Sequence, residues 1–518
     1  MKKNPHWITV ILFLFVITPM QSRESLLLIP FPEEAIRKEG VFQLSARTGI
    51  TNQSTQENCR LLQDYLEKDF GINVHTRTGH TQIILRETPV DKLVSPDKEA
   101  YTLSISRDTV IIQASAPAGV FYGIQTLRQL INREDHTAPC LVIRDRPAYA
   151  WRAFMLDEAR YFKGKQIVKE LLDEMASLKM NIFHWHLTDD QGWRLEIKKY
   201  PLLTEIGAYR DSTLVGGWKS TVFDGIPHGG YYTQDDIREI VEYASQRHIT
   251  IVPEIEMPGH ATAAIASYSF LGVLKHPISV ANTFGVKSST FNVANEKVIA
   301  FLHDVLDEVF SLFPGKVVHI GGDEIHVAEW KSSSDVTAYM KKFHLRNYND
   351  LQVFFTNNMS RFIASKGRQM MGWNDIMGKN IHEWSTESDS QSGTLSPDAI
   401  VHFWKGETQL IKDALEKGHS VVNSTHDFTY LDYDYQKLPL SMAYHFSPFP
   451  AGVDEKYRPQ LLGLGCQMWC EWVPGSKELY RQVFPRIAAY AETGWTQNER
   501  KDFERFREAY KQINPLYP

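Results

Sequence analysis

The residues with the clearest chemical potential are two adjacent acids, Asp323 and Glu324, which close the segment 316–324 of sequence KVVHIGGDE. The apolar residues of this segment predict a short buried strand, and its two glycines predict a sharp turn directly after it. Consecutive side chains of a strand point to opposite faces, so both carboxylates can face one cleft only if the chain turns. Taken alone, such a turn is more often an ordinary solvated loop. Whether the two acids have a function therefore depends on the residues that lie beside them in the fold.

Polar and aromatic residues also follow the other apolar runs that predict strands. The carboxyl ends of parallel strands meet at one edge of a sheet or barrel, so we expect these residues to share one site with the two acids. Among them are Arg160, Asp189, His260, Trp373, Trp404, Tyr430, Asp432, Trp469 and Glu471, and Asn374 and Asp375 follow the fifth predicted strand.

This grouping of acids, arginine and tryptophans is typical of glycosidases. One acid donates a proton to the departing oxygen, and the other stabilises the positive charge that develops at the sugar carbon. Aromatic rings offer apolar faces to a sugar, and arginine offers a fork of donors to its hydroxyls. The residues therefore indicate hydrolysis of a glycosidic bond.

A metal-dependent hydrolase is the alternative chemistry. His184 and His186 are two residues apart in a predicted strand, so they share a face, and His260 and His319 could complete a metal site. Both members of the first pair precede the predicted strand end and stand between apolar residues. This placement favours buried, hydrogen-bonded histidines, and we expect neither a metal nor a cofactor.

The elements that must position these residues alternate between strands and amphipathic helices. This alternation predicts a (β/α)₈ barrel, a TIM barrel of the α/β class, over residues 147–518, with the active site at the carboxyl ends of its strands. The predicted strands are 152–156, 181–187, 249–254, a run beginning at Lys316, 369–373, 399–404, 420–423 and 461–468.

Residues 24–146 predict a separate, small α+β domain. Residues 58–70 and 118–130 have helical patterns, and residues 101–112 have the pattern of a β-hairpin. No combination of reactive residues occurs in this stretch. We therefore expect a non-catalytic domain with a packing or scaffold role.

The composition is that of an ordinary globular protein, and its formal net charge of −6 argues against a nucleic-acid partner. Residues 1–22 combine a basic start with an apolar run too short to span a bilayer. This pattern predicts a signal peptide and export to the periplasm or the outside of the cell, without a stable membrane span.

The four cysteines are too few for a disulfide scaffold in a chain of 518 residues. Cys466 and Cys470 are four steps apart in a predicted strand, roughly 13 Å, which is too far for a disulfide. Cys59 and Cys140 are distant in sequence, and the spacing leaves their pairing open.

Three segments resemble the signatures of family 20 of the glycoside hydrolases, the β-N-acetylhexosaminidases. They are residues 184–193 (HWHLTDDQGW), 253–260 (PEIEMPGH) and 319–324 (HIGGDE). Residues 119–127 (GVFYGIQTL) also resemble the end of that family's small non-catalytic domain. The signatures occur in the family's order, and the resemblance extends over the whole chain after the predicted signal peptide.

The resemblance implies roles for the residues nearest the reaction. Glu324 corresponds to the general acid and base, and Asp323 to the group that holds the substrate's own 2-acetamido group while it attacks the sugar carbon. Asp189 and His260 correspond to a polar chain that orients Glu324. Arg160 corresponds to a clamp on the 3- and 4-hydroxyls of the sugar.

The resemblance also implies roles for the residues around the sugar ring. Tyr430 corresponds to a hydrogen-bond donor to the acetamido oxygen, and Asp432 and Glu471 to groups that bind the 4- and 6-hydroxyls. The walls around the ring and the acetamido methyl group correspond to Trp373, Trp404 and Trp469.

The resemblance thus implies an exo-acting, retaining β-N-acetylhexosaminidase that needs no cofactor. Its partner would be a glycan or chito-oligosaccharide ending in N-acetylglucosamine or N-acetylgalactosamine. The alternatives are a relative that releases a modified hexosamine or a disaccharide, and a catalytically silent sugar-binding module. An intact Asp323 and Glu324 pair with Tyr430 argues against the silent module, because binding alone does not require a matched acid.

Overall fold

The computed structural model describes residues 26–88 and 98–513 of the chain. The predicted signal peptide, residues 1–22, lies outside the described residues. The described residues form a sheet domain followed by a barrel, and this confirms the predicted fold class. Among them, no helix has the length and apolar character that crossing a membrane requires.

The amino-terminal domain is a seven-stranded mixed sheet with two helices packed against each other and the sheet. The predicted hairpin is present as the antiparallel pair Tyr101–Ile105 and Thr109–Ala114. The predicted helices are also present, as Gln56–Phe70 and Pro117–Leu130. The other strands are Glu34–Gln43, Gly49–Gln53, His75–Thr76, Gln82–Glu87 and Thr137–Asp145.

Buried polar contacts join this domain to the barrel. The carboxylate of Asp145 accepts hydrogen bonds from the Tyr101 hydroxyl at 2.7 Å, Lys179 Nζ at 3.1 Å and Trp495 Nε1 at 3.0 Å. A buried carboxylate with several donors holds its surroundings in one arrangement. Lys179 lies three residues before the second barrel strand, so the sheet domain contacts the amino-terminal end of that strand, opposite the candidate residues.

Eight parallel strands close the barrel. All eight predicted strands are present, and the one before the two acids is only three residues long because the glycine turn follows at once. In order, the barrel strands are Trp151–Asp157, Ile182–His186, Thr250–Glu254, Val317–His319, Gln369–Trp373, Ile400–Phe403, Val421–Asn423 and Leu461–Met468.

The helices around the barrel bury the apolar stripes seen in the sequence. At the start of helix Gln234–Ser245, Thr233 and Asp236 form a capping box, in which each side chain accepts a hydrogen bond from the other residue's backbone N–H. The barrel-domain helices are Lys165–Ser177, Leu202–Glu205, Gln234–Ser245, Thr262–Ser267, Glu296–Leu312, Ala328–Ser332, Ser334–Lys342, Tyr348–Ser365, Gln409–Glu416, His426–Thr429, Leu440–His445, Ser476–Val483, Arg486–Trp495 and Phe503–Ile513.

The loops at the carboxyl end of the barrel contain shorter elements. Two-residue strands form three small antiparallel pairs after the second barrel strand. A 3₁₀ turn, Asn374–Met377, follows the fifth barrel strand directly and carries a residue of the site. Further 3₁₀ turns span Ser269–Leu271, Glu455–Gln460 and Asn498–Arg500.

All four cysteines are free and buried. The prediction that Cys466 and Cys470 do not pair is therefore confirmed. Cys59 and Cys140, which the sequence left open, are free as well.

Candidate active site

The two acids lie in a turn directly after the fourth barrel strand. Gly321 and Gly322 have φ angles of +64° and +87°, a conformation that other residues rarely adopt. A Cβ at Gly321 would collide with the Glu256 carboxyl group, and one at Gly322 would come within 2.6 Å of Ile376 Cγ2. Conformation and space both require glycine, so the predicted turn is fixed by its own residues and by its neighbours.

The turn places both carboxylates beside the imidazole of His260. Nε2 of His260 is 3.7 Å from Asp323 Oδ2 and 3.8 Å from Glu324 Oε2. Glu324 has a φ of +49°, which is uncommon for a residue with a side chain. Asp323 is only 8% exposed, whereas Glu324 is half-buried. Glu324 is therefore the acid that is more open to solvent.

A line of charged groups leads from His260 to Arg160. His260 Nδ1 is 3.2 Å from Asp189 Oδ1, and Arg160 Nη2 is 2.7 Å from Asp189 Oδ2. Burial favours a neutral Asp189, but the charges of Arg160 and His260 hold the pKa of Asp189 well below its usual range. Burial lowers the pKa of His260, but the charges of Asp189 and Asp323 raise it well above its usual value overall. These charges favour the protonated form of His260 beside the acids.

Aromatic side chains wall the space next to the acids. Trp373 is fully buried, and its ring centroid is 5.9 Å from that of Trp469. Trp404 and Tyr430 stack with their planes 6° apart. The Arg160 guanidinium lies 5.1 Å from the Trp469 ring centroid, so the aromatic wall is continuous with the line of charged groups.

Asp432 and Glu471 form a second pair of interacting acids in the same pocket. Burial, and then the charge of Glu471, raises the pKa of Asp432 to about 8. Burial also raises the pKa of Glu471, although the nearby Arg160 opposes this shift. The structure thus brings all the predicted site residues together at one end of the barrel.

Several polar atoms of this pocket have no hydrogen-bond partner within the described part of the chain. They include Asp323 Oδ1, His260 Nε2 and Asp432 Oδ1, all of which are buried. Buried polar atoms are almost always hydrogen-bonded, so such a group of atoms indicates a binding site for a polar ligand. Together with the aromatic walls, these atoms suit a sugar, which has apolar faces and hydroxyl edges.

Comparison with known families identifies both parts of the chain. Residues 149–498 match the model described as "Glycosyl hydrolase family 20, catalytic domain". The chain belongs to glycosyl hydrolase family 20. Residues 26–146 match that family's "domain 2". The resemblance on which the sequence analysis relied is thereby confirmed.

Individual family 20 proteins are similar to this chain along most of its length. A "Beta-hexosaminidase" from Porphyromonas gingivalis is 33% identical over 92% of this chain, which spans 62% of that protein's length. One from Vibrio furnissii is 32% identical over 92% of the chain and 77% of its own length. The solved Vibrio harveyi "Exo beta-N-Acetylglucosaminidase in complex with N-acetylglucosamine" is 29% identical with a TM-score of 0.81, over 95% of this chain and 77% of its own.

The family 20 site includes two residues to which the sequence analysis gave no catalytic-site role. His186, the last residue of the second strand, lies with Nδ1 2.6 Å from Glu254 Oε2 and Nε2 3.0 Å from Asp189 Oδ2. Glu254 also accepts a hydrogen bond from Trp373 Nε1 at 2.8 Å. The sequence analysis expected His186 to be buried and hydrogen-bonded, without a part in the site. Its position three residues before Asp189 was the feature of the sequence that could have identified it.

A further acid, Asp375, also belongs to the site although the sequence analysis noted only its place after the fifth strand. Its Oδ1 accepts a hydrogen bond from the Glu324 backbone N–H at 3.2 Å. Its Oδ2 accepts one from Trp404 Nε1 at 2.9 Å. An acidic residue at a barrel-strand end was the signal that could have found it.

Of the histidines considered as metal ligands, His260 belongs to the site itself, and His184 and His319 lie beside Glu254. His184 Nε2 is 3.0 Å from Glu254 Oε2, and His319 Nδ1 is 2.9 Å from Glu254 Oε1. Within the described residues, these three side chains form one of four groups whose spacing would admit a metal ion. Burial lowers the pKa of His184 to about 4, so its ring is neutral. The hydrogen-bonded role that the sequence analysis predicted is present at His186. His184 Nε2 has no hydrogen-bond partner of suitable geometry within the described residues.

Proposed function

We propose that this family 20 chain is an exo-acting, retaining β-N-acetylhexosaminidase in which the substrate's acetamido group is the nucleophile. The supporting observation is that Asp323 and Glu324 meet at one imidazole, within 3.8 Å of His260 Nε2. In other retaining enzymes, a nucleophile and an acid flank the sugar carbon about 5–5.5 Å apart. Two neighbouring acids suit a reaction in which one protonates the leaving group and the other supports a nucleophile from the substrate.

In the first step, Glu324 transfers its proton to the glycosidic oxygen as the bond from that oxygen to the sugar carbon breaks. The acetamido oxygen attacks the same carbon from the opposite face and closes an oxazolinium ring. Asp323 accepts a hydrogen bond from the acetamido N–H, and its negative charge stabilises the positive charge of the ring. The leaving alcohol departs, and Glu324 is now a carboxylate.

In the second step, the Glu324 carboxylate takes a proton from water as the water oxygen attacks the sugar carbon. The bond to the acetamido oxygen breaks, the acetamide is restored, and Glu324 again carries a proton. Two inversions at one carbon give overall retention. His260, which contacts Asp189, places a positive charge beside Glu324. This charge stabilises Glu324 while it is a carboxylate.

Other residues of the pocket hold the sugar and its acetamido group. Burial raises the pKa of Tyr430 well above its usual value, so its hydroxyl stays protonated and can donate to the acetamido oxygen. Trp373, Trp404 and Trp469 provide apolar surfaces for the ring and the methyl group. The N-acetylglucosamine bound to the Vibrio harveyi relative supports this choice of sugar.

We expect the enzyme to remove single sugars from the non-reducing end. In the proposed binding mode, Arg160, Asp432 and Glu471 engage the 3-, 4- and 6-hydroxyls, which leaves no room for a sugar attached through them. A time course on a reducing-end-labelled chito-oligosaccharide should show labelled products that shorten by one sugar at a time. Early labelled fragments of intermediate length would indicate an open cleft and contradict the assigned pocket.

We expect activity to be independent of metal ions. In this proposal the histidines around Glu254 are buried structural groups, and none of the steps above uses a metal. Hydrolysis of 4-nitrophenyl N-acetyl-β-glucosaminide should therefore continue at an unchanged rate after exhaustive chelation. A rate that falls on chelation and returns with zinc would favour the metal hydrolase, and binding of N-acetylglucosamine without hydrolysis would favour the silent module.

A further inference from the structure

The carboxylate of Asp375 joins three parts of the active site. It accepts hydrogen bonds from the Glu324 backbone N–H at 3.2 Å and from Trp404 Nε1 at 2.9 Å, and it lies 2.6 Å from Nε2 of His382. Asp375 is 5% exposed and belongs to the 3₁₀ turn Asn374–Met377, which follows the fifth strand without a linker. A buried group on so short a connection has little freedom to move.

The contact with Glu324 concerns the peptide that joins the two catalytic acids. This peptide precedes a residue with a φ of +49°, where L-amino acids are rarely found unless their surroundings hold them. Fixing its N–H therefore fixes the point from which the Glu324 side chain starts. A carboxylate is a stronger acceptor for that N–H than a neutral group would be.

The contact with His382 adds a second connection to the same turn. Burial lowers the pKa of His382, but its hydrogen bond to Asp375 raises it above the usual value overall. The His382 ring stacks on Trp384 at 4.9 Å between centroids, and Trp384 stacks on His326 at 6.0 Å. His326 is two residues beyond Glu324, so the loop after the fifth strand contacts the catalytic turn on both sides of the acid.

We propose that Asp375 is a positioning residue that holds Glu324 in the orientation needed for proton transfer. The inference rests on the proposed function, because it concerns Glu324 as the acid. Asp375 does not touch the sugar in this proposal, and it acts through the backbone of Glu324 and through His382.

The charge of Asp375 is the reason to infer more than a structural contact. Its negative charge lies near Asp323 and contributes, after burial, to the raised pKa of that acid. The groups that face it are Asp323 and Glu324 from the catalytic turn, His382 from its own loop, and Trp404 from the end of the sixth strand. Burial raises the pKa of Asp375, but the hydrogen bond and the charge of His382 lower it overall, so the charged form is favoured here. A charged acceptor bonds the Glu324 N–H more strongly than a neutral one, as a firmly held proton donor requires.

The test is the Asp375→Asn variant with a series of aryl N-acetyl-β-glucosaminides whose leaving groups differ in pKa. Asparagine has one acceptor oxygen for three donors, so at least one of the contacts is lost. We expect kcat/KM to fall by roughly 10–100-fold for poor leaving groups, a part of what general-acid catalysis contributes, and by less than about threefold for 2,4-dinitrophenolate. Affinity for the product N-acetylglucosamine should change by less than about threefold, because the sugar contacts remain.

A double-variant cycle distinguishes positioning from loss of structure. In a Glu324→Gln background, Asp375→Asn should lower the rate by less than about threefold further, because no acid is left to position. Glu383→Gln is the matched control: this neighbouring acid pairs with Lys405 at the surface, and its replacement should leave the rates unchanged. If Asp375→Asn does not fold, His382→Gln should show the same selective loss, since it removes the charged partner of Asp375.

Several results would overturn the inference. They are an equal loss for all leaving groups, a loss of product affinity, or a full additional loss in the Glu324→Gln background. Wild-type rates for Asp375→Asn and His382→Gln would do the same. Failure of the proposed function would give a different result: the wild-type enzyme would hydrolyse none of the aryl substrates.

Discussion

Replacing the 2-acetamido group of the substrate by a hydroxyl is expected to slow hydrolysis by about 10⁵-fold or more. The corresponding β-glucoside has the same glycosidic bond but lacks the group that attacks the sugar carbon. An intramolecular nucleophile held in place contributes effective concentrations on the order of 10⁵–10⁸ M. The measurement is kcat/KM for 4-nitrophenyl β-glucoside and for its N-acetyl counterpart, under the same conditions and with the same enzyme preparation.

The same hypothesis predicts the behaviour of Asp323. A cyclic thiazoline that mimics the oxazolinium intermediate should bind much more tightly than the product. In an Asp323→Asn variant, this mimic should lose roughly 1.5–3 kcal/mol of binding free energy, the contribution of a hydrogen bond to a charged group. The product, a neutral amide, is the matched control and should lose less. A sugar ester trapped on an enzyme carboxylate, or efficient hydrolysis of the glucoside, would contradict substrate assistance.

The sequence predicted the barrel and its candidate residues because each reactive group follows an apolar run. The pattern of Gln369–Trp373 and of Leu461–Met468 was complete enough to give both strands their observed bounds. Asp323 and Glu324 could be assigned to the barrel mouth because the paired glycines before them predict a turn. At these positions the local sequence pattern was sufficient to predict the structure, because the strand and turn preferences of the residues agree with the fold.

Contacts between strands could not be predicted in this way. Glu254 stands opposite His186 on one neighbouring strand and His319 on the other, and this register brings the three side chains together. Register in a closed barrel depends on the tilt and stagger of all its strands, which no single segment determines. His186 was therefore expected to be buried, but its contact with the line of charged groups was not foreseen.

Asp375 shows the same limit for a loop. Its acceptor role requires the Glu324 peptide N–H to point towards Asp375, in a turn where Glu324 has a φ of +49°. A sequence pattern predicts that a turn exists but not which way each peptide within it points. The partner His382 is seven residues further on, in a loop without periodic pattern. The structure was needed to connect the three residues.

Replacing Glu324 by glutamine is expected to slow hydrolysis most for substrates with poor leaving groups. Glutamine keeps the size of the side chain but cannot donate the proton that the departing oxygen needs. General-acid help contributes roughly 10²–10⁴-fold, so the rate for an alkyl glycoside or a chito-oligosaccharide should fall by this factor. A 2,4-dinitrophenolate departs without protonation, and its release in the first step should be nearly normal. The measurement is kcat/KM for a series of aryl leaving groups, plotted against their pKa.

The second step of the reaction provides an internal check on the same variant. Glutamine cannot take a proton from water either, so with the best leaving groups the oxazolinium should form rapidly and be hydrolysed slowly. A strong nucleophile such as azide needs no general base and should restore turnover by forming the β-azide. Asp323→Asn is the contrasting variant, because it should slow ring closure for every leaving group and azide should not rescue it. Equal losses across the series for Glu324→Gln, with no rescue by azide, would show that Glu324 is not the acid.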